Sequence, residues 1–215
     1  MRILIVTPLY PPDIDRLAIY AKELASRLTS QHQVSVMTYG SIPEEVSPVR
    51  IFYIPKNWSI FLRMIAFLFQ LWRAAMDADL LYVCDGAAVG LPSTLISWLR
   101  GIPLVRYVTE DEAAERKKMG ASKRKVQGVD HLQRFVLRHA TRVIISTESL
   151  KNLFSREAVV LPLPAPRAKL FPPIIEQALL DQPSFRPTIL DNSQIIDVDV
   201  EWKKHVEQLR NIFSL

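Results

Sequence analysis

A chain of 215 residues with 49% hydrophobic and 23% charged residues has a globular composition, which excludes a disordered or fibrous protein and leaves room for one large domain or two small ones. The net charge of +5 suggests mild affinity for anionic surfaces or substrates, but the excess is small and partly clustered, and no nucleic acid is expected as a partner. One cysteine, Cys84, excludes an intramolecular disulfide, and the four histidines fall in no metal-ligand spacing, so no metal is expected.

The chain opens on Ile3-Leu4-Ile5-Val6, an aliphatic run that fits a strand covered on both faces. A loop through Thr7 to Asp13 leads into a helix pattern ending at Leu28, with Leu17, Tyr20, Ala21, Leu24 and Leu28 on one side. That loop therefore lies at the carboxyl edge of a sheet, where α/β proteins bind ligands. It carries Pro11-Pro12-Asp13-Ile14-Asp15-Arg16, with no glycine between Val6 and Leu28. A phosphate-cradling turn needs glycine so that the backbone can approach the phosphate closely, so neither an NAD nor an ATP loop is predicted, and no bound cofactor.

His32 to Tyr39 alternates like a strand and Val49 to Ile54 gives another, with Pro43 and Pro48 between them. The apolar stretch from Trp58 to Ala75 follows, interrupted by Arg63, Gln70 and Arg73, which is too short and too broken to span a bilayer. Two readings fit it: a buried helix covering the sheet, or an interfacial helix with Trp58 and Trp72 near its ends and Arg63 and Arg73 available to lipid phosphates. Asp79 to Cys84 is the next strand, with Cys84 a buried core thiol, and it ends at Asp85-Gly86, a turn on the ligand edge.

Leu91 to Arg100 reads as a helix stopped by Gly101 and Pro103. Leu104 to Val108 is a strand leading into Thr109-Glu110-Asp111-Glu112. The basic cluster Arg116, Lys117, Lys118, Lys123, Arg124 and Lys125, with Gly120 and Ser122 among it, reads as a solvated loop, a binding patch being the other reading. A helix from Val126 to His139, a strand from Arg142 to Ser146, a short helix from Glu148 to Phe154 and a strand at Val159-Val160-Leu161 complete the series. Ser146 or Thr147 is expected to cap that short helix. The alternation predicts an α/β fold, a Rossmann-like and mostly parallel sheet with helices on both faces.

Seven of the chain's 15 prolines lie between Pro162 and Pro187, a linker composition. The chain is thus divided into a domain over 1–161, a proline-rich linker over 162–199 and a helix over 200–215. On that helix Trp202, Val206, Leu209 and Phe213 share a face that must dock back on the domain.

Several segments together resemble the amino-terminal, acceptor-side half of GT-B glycosyltransferases of the family-4 type: MRILIVTPLYPP with LAIYAKELASRL, then ADLLYVCDG, GIPLVRYVTEDE with AERKK, and ATRVIISTESLKNLF. VVLPLPAPRAKLFPP looks like the family's domain-crossing segment, and the final helix looks like the one that packs back on the first domain. Most of a donor-binding domain would then be missing. The resemblance implies hexosyl transfer from a nucleotide-sugar to a sugar or lipid-linked acceptor, with a separate donor-binding subunit as partner. The alternative is a non-catalytic remnant or binding module with the same fold. A flavodoxin-like nucleotide binder is a third reading, disfavoured by the glycine-free first loop.

The resemblance also nominates residues. Asp15 and Arg16 stand where the family has a glycine pair near the donor phosphates. Glu110, Asp111 and Glu115 fall on a segment that often reads Gly-Asp-x-x-x-Glu-Arg, so Asp111 is the catalytic candidate, with Asp15, Arg16, Asp85, Glu110, Glu112 and Glu115 as substrate-binding candidates. The competing reading of residues 109–112 is a solvated helix start, since acidic residues favour a first turn. With no secretory signal read at its start, the chain is expected in the cytoplasm, with a peripheral contact through 58–75 at the inner face of the membrane as a further expectation.

Overall fold

A computed structural model of the chain describes residues 1–40, 43–44, 46–153, 158–164 and 192–214. Seven strands form one parallel sheet: β1 (Arg2–Thr7), β2 (Gln33–Gly40), β3 (Arg50–Pro55), β4 (Leu80–Val83), β5 (Leu104–Val108), β6 (Arg142–Ile145) and β7 (Val159–Val160). Their order is β3-β2-β1-β4-β5-β6-β7, so the winding reverses between β1 and β4. The helices are α1 (Arg16–Leu28), α2 (Ile60–Ala74), α3 (Ala87–Arg100), α4 (Glu112–Lys118), α5 (Lys123–His139) and α6 (Asn192–Phe213). This is the Rossmann-like α/β sheet that the strand and helix alternation predicts.

The central strands are apolar without interruption because both of their faces are covered. Ile3 and Ile5 of β1 join Leu80 and Tyr82 of β4 and Val105 and Tyr107 of β5 in one core with α1 and α6. Leu4 and Val6, with Leu81, Val83, Leu104 and Val108, face the second core, which takes in Phe67 and Leu71 of α2, Val89 and Ile96 of α3 and Leu137 of α5. The period-two alternation of side chains thus splits each strand between two layers.

The first layer is closed by α6. Val198, Trp202, Val206, Leu209 and Phe213 enter its core, the face expected from the sequence, although the helix begins at Asn192 and not near residue 200. Tyr20 Oη lies 2.7 Å from Tyr82 Oη and 2.9 Å from His205 Nε2, and its ring stacks on Tyr107 and Trp202. His205 also bonds the Pro162 backbone, whose oxygen can only accept, while burial pushes the imidazole down to about 4. The ring is therefore neutral at pH 7. Arg27 adds an ion pair to Asp199 at 2.7 Å and lies over the Trp202 ring.

Three local differences from the sequence reading have physical causes. Helix α3 starts at Ala87, four residues early, and runs through Pro92. The Ala88 carbonyl that Pro92 cannot serve instead faces Tyr39 Oη at 3.5 Å. Helix α4 has no apolar residue larger than Ala113 and Ala114, which hides it from a reading by periodicity, yet Asp111 caps it, Glu112 and Glu115 fill its first turn and Arg116 to Lys118 its last. The basic cluster is therefore not a loop: it closes α4 and opens α5. Ser146 caps nothing among the described residues; its hydroxyl donates to the Thr109 carbonyl, and Glu148–Leu153 is a 3-10 turn. Phe154, the proline-rich stretch over 165–191 and Leu215 lie outside the described residues.

Candidate functional site

Parallel strands bring the loops after β1, β4, β5 and β6 to one edge of the sheet, and the reversal between β1 and β4 is where such sheets open a crevice for ligands. Gly86, at φ +114°, starts α3, and a Cβ on it would meet Pro8 Cγ at 3.1 Å, so the β1 loop lies directly on the β4 loop. Asp15 accepts from the Leu17 N–H at 2.7 Å as the N-cap of α1, and Arg16 is the exposed first residue of that helix. A carboxylate therefore sits at the helix end where a phosphate-binding loop would leave bare N–H groups.

The next loop pair is held by Asp85. Its Oδ2 accepts from the Thr109 N–H, the Thr109 hydroxyl and, at 3.1 Å, the Glu110 N–H. Burial pushes the Asp85 carboxyl up, while the positive charge of Arg106 and the Thr109 bonds pull it down. Asp85 therefore ties the ends of β4 and β5 together, which is the turn role its sequence position suggested. Arg106 is only 3% exposed, and its Nη2 donates to the Gly86 carbonyl at 3.3 Å. A Cβ at Gly90 would stand 2.6 Å from Arg106 Nη1, so a side chain there would require the buried guanidinium to shift. Glu112 contributes negative charge to the same place.

Glu110 is the outward-facing group of this edge. Loss of water around its carboxyl, then a hydrogen bond and like charge from Glu115, then the charges of Asp85 and Asp15, push it up to about 7. Asp111, beside it, is turned to the backbone: its Oδ1 accepts from the Ala113 and Ala114 N–H groups at 3.0 and 3.1 Å as the cap of α4.

The structure thus sets Glu115 on Glu110, with Asp85 and Asp15 near enough for their charge to act there, and puts Arg106 within reach of the Glu112 charge. Arg16 stands near enough to Tyr107 for its charge to act there. The residue the sequence reading passed over is Arg106, and its signal was present: an arginine in the middle of Leu104-Val105-Arg106-Tyr107-Val108 cannot be an ordinary core residue. Among the described residues no three His, Cys, Asp or Glu side chains are grouped so as to hold a metal ion.

The fold is that of several nucleotide-sugar proteins. HepE of Anabaena in complex with UDP superposes with a TM-score of 0.53 at 15% identity, over 77% of this chain and 44% of that one. UDP-GlcNAc 2-epimerase from Neisseria meningitidis bound to UDP-GlcNAc gives 0.52 at 14% identity, over 75% of this chain and 46% of that one. The chain spans less than half the length of either, and at such identities the likeness concerns the fold. No curated protein matches the sequence. A family model does, described as a glycosyl transferase 4-like domain and matched over residues 17–173. With its strand order, its loops converging at the carboxyl edge and its returning terminal helix, the chain belongs to the glycosyl transferase 4-like domain family.

Proposed function

We propose that this chain is the acceptor side of a glycosyl transfer, with the Glu110–Glu115 pair at the acceptor hydroxyl and the nucleotide-sugar presented by a separate donor-binding unit. The observation that carries the reading is the family match together with the place of Glu110, exposed just past the end of β5 on the carboxyl edge, with its carboxyl pushed up to about 7. In glycosyl transfer the acceptor oxygen bonds the anomeric carbon, the nucleotide leaves with the electrons of the broken bond, and the hydroxyl proton must be taken up. A carboxyl that titrates near working pH can accept a hydrogen bond from that hydroxyl or take its proton. Asp111, nominated from the sequence, supports the loop by capping α4, and Asp85 holds the loop's start.

A non-catalytic sugar-binding module is the second reading, favoured by Pro8 packed on Gly86 and by the Asp15 carboxylate at the α1 terminus, where it would repel a phosphate. Both readings expect no micromolar binding when the chain is titrated calorimetrically with UDP-, GDP- and ADP-glucose; such binding would overturn the assignment of the donor to another unit. The pair is tested directly by carbon-13 NMR of labelled glutamate carboxyls. One resonance should titrate near pH 7 and move down in Glu115→Gln, while loss of water around the carboxyl and the charges of Asp85 and Asp15 still hold it above its ordinary value. A wild-type spectrum in which every glutamate titrates below 5 would remove the basis for the transfer reading.

A further inference from the structure

The second layer of the fold, α2, α3 and α5, is not finished. Of α2 only Phe67 and Leu71 are buried, while Phe61 is 70% and Trp98 of α3 is 74% exposed. Phe61, Ile65, Leu68, Leu95, Trp98 and Phe135 line an open groove of about 680 Å³ that crosses all three helices. A contiguous apolar surface of this kind marks an interaction site.

The charge around it indicates what docks there. The three helices carry eight Lys or Arg residues against one acid, Asp130, which is paired with Arg134 at 2.9 Å. That imbalance of +7 exceeds the +5 of the whole chain, so the rest of the molecule is net acidic. Arg124 and Arg138 share the helical face of Phe135, with Arg124 about 16 Å along it. Lys123, Arg124 and Lys125 occupy the first turn of α5 without an acidic residue, at the positive end of the helix dipole, where they oppose helix stability. Arg100 lies 4.3 Å from the centre of the Trp72 ring, an indole on the exposed face of α2.

We infer that this face binds an anionic lipid surface, with the aromatic and aliphatic side chains of the groove entering the headgroup boundary and the arginines and lysines on lipid phosphates. The face extends well beyond α2, the segment that the sequence suggested. No described helix is long and apolar enough to cross a membrane, which fits a helix layer lying on a bilayer and not through it. A second copy of the chain would bring a surface of the same sign against this one, which charge opposes. The inference is independent of the sugar chemistry at the carboxyl edge.

The test is sedimentation of the full chain with vesicles of phosphatidylcholine alone or mixed equally with phosphatidylglycerol, at low and physiological salt. Binding is expected only to the mixed vesicles, weakened by salt, with a blue shift of tryptophan fluorescence. Arg124→Glu and Arg138→Glu should each weaken it about fivefold or more. Trp98→Ser and Phe61→Ser should each weaken it about tenfold, with circular dichroism unchanged because both side chains are exposed. Equal binding to neutral vesicles, no binding to either, or a dimer in lipid-free solution that Trp98→Ser dissociates would each overturn the inference.

Discussion

Two tryptophans on opposite sides of one sheet show how differently the two helix layers are built. Trp202 on α6 is 1% exposed, stacked on Tyr20, approached by Arg27 and bordered by His205. Trp98 on α3 is 74% exposed and lines a groove. Both belong to helices with an apolar face, and both layers have a complete inner stripe against the sheet. The first layer is closed by α6 and holds internal hydrogen bonds; the second ends in apolar surface on helices that carry eight Lys or Arg residues and one acid. The layers are therefore finished differently: one is closed over its aromatic side chains, the other leaves them open.

The sharpest way to break this contrast is to truncate the covered tryptophan. Trp202→Ala should cost about 3 to 5 kcal/mol, because the neighbouring rings cannot collapse into the space while the sheet holds them. Urea unfolding followed by far-ultraviolet circular dichroism measures it. A loss below about 1 kcal/mol would mean that α6 rests on the domain without stabilising it.

A smaller effect of the same layer depends on pH. His205 is pushed down to about 4 from 6.5 by burial. A depressed folded value means that the unfolded chain binds the extra proton, so the stabilisation is full above pH 6.5 and declines as the pH falls toward 4. The loss over that window is on the order of 3 kcal/mol. Urea midpoints between pH 7 and pH 4 should fall more steeply for the wild type than for His205→Gln, which keeps a polar partner for Tyr20 but cannot charge. Parallel pH profiles would place the acid sensitivity elsewhere.

The same asymmetry explains what could be read from the sequence. Strand positions, their parallel order and the docking face of α6 follow from apolar period and from the requirement that a face such as Trp202, Val206, Leu209 and Phe213 be buried. Helix α4 escaped because its signal is charge order and a cap at Asp111, not periodicity. The early start of α3 escaped because Pro92 reads as a breaker unless Tyr39, distant in sequence, faces the freed carbonyl. At the candidate site the residue types and the edge were legible, whereas the pairing of Glu110 with Glu115 and the capping by Asp15 and Asp111 depend on side-chain directions that spacing does not carry. For α2 the stripe that covers the sheet is the one the buried reading expects, and the rest of the helix is open to solvent.

The smallest expected effect is the most discriminating between the layers. Trp98→Ser removes a large apolar side chain that makes up part of the open groove, and its stability cost should stay within about 0.5 kcal/mol, as for other surface positions. A Trp side chain that supported the fold would cost several times that when removed. Near-neutral stability, measured by urea unfolding beside Trp202→Ala, combined with loss of vesicle binding, would separate a surface kept for contact from a core kept for folding. A cost of about 2 kcal/mol or more would instead make the second layer a continuation of the core, with its exposed residues closing over one another in solution.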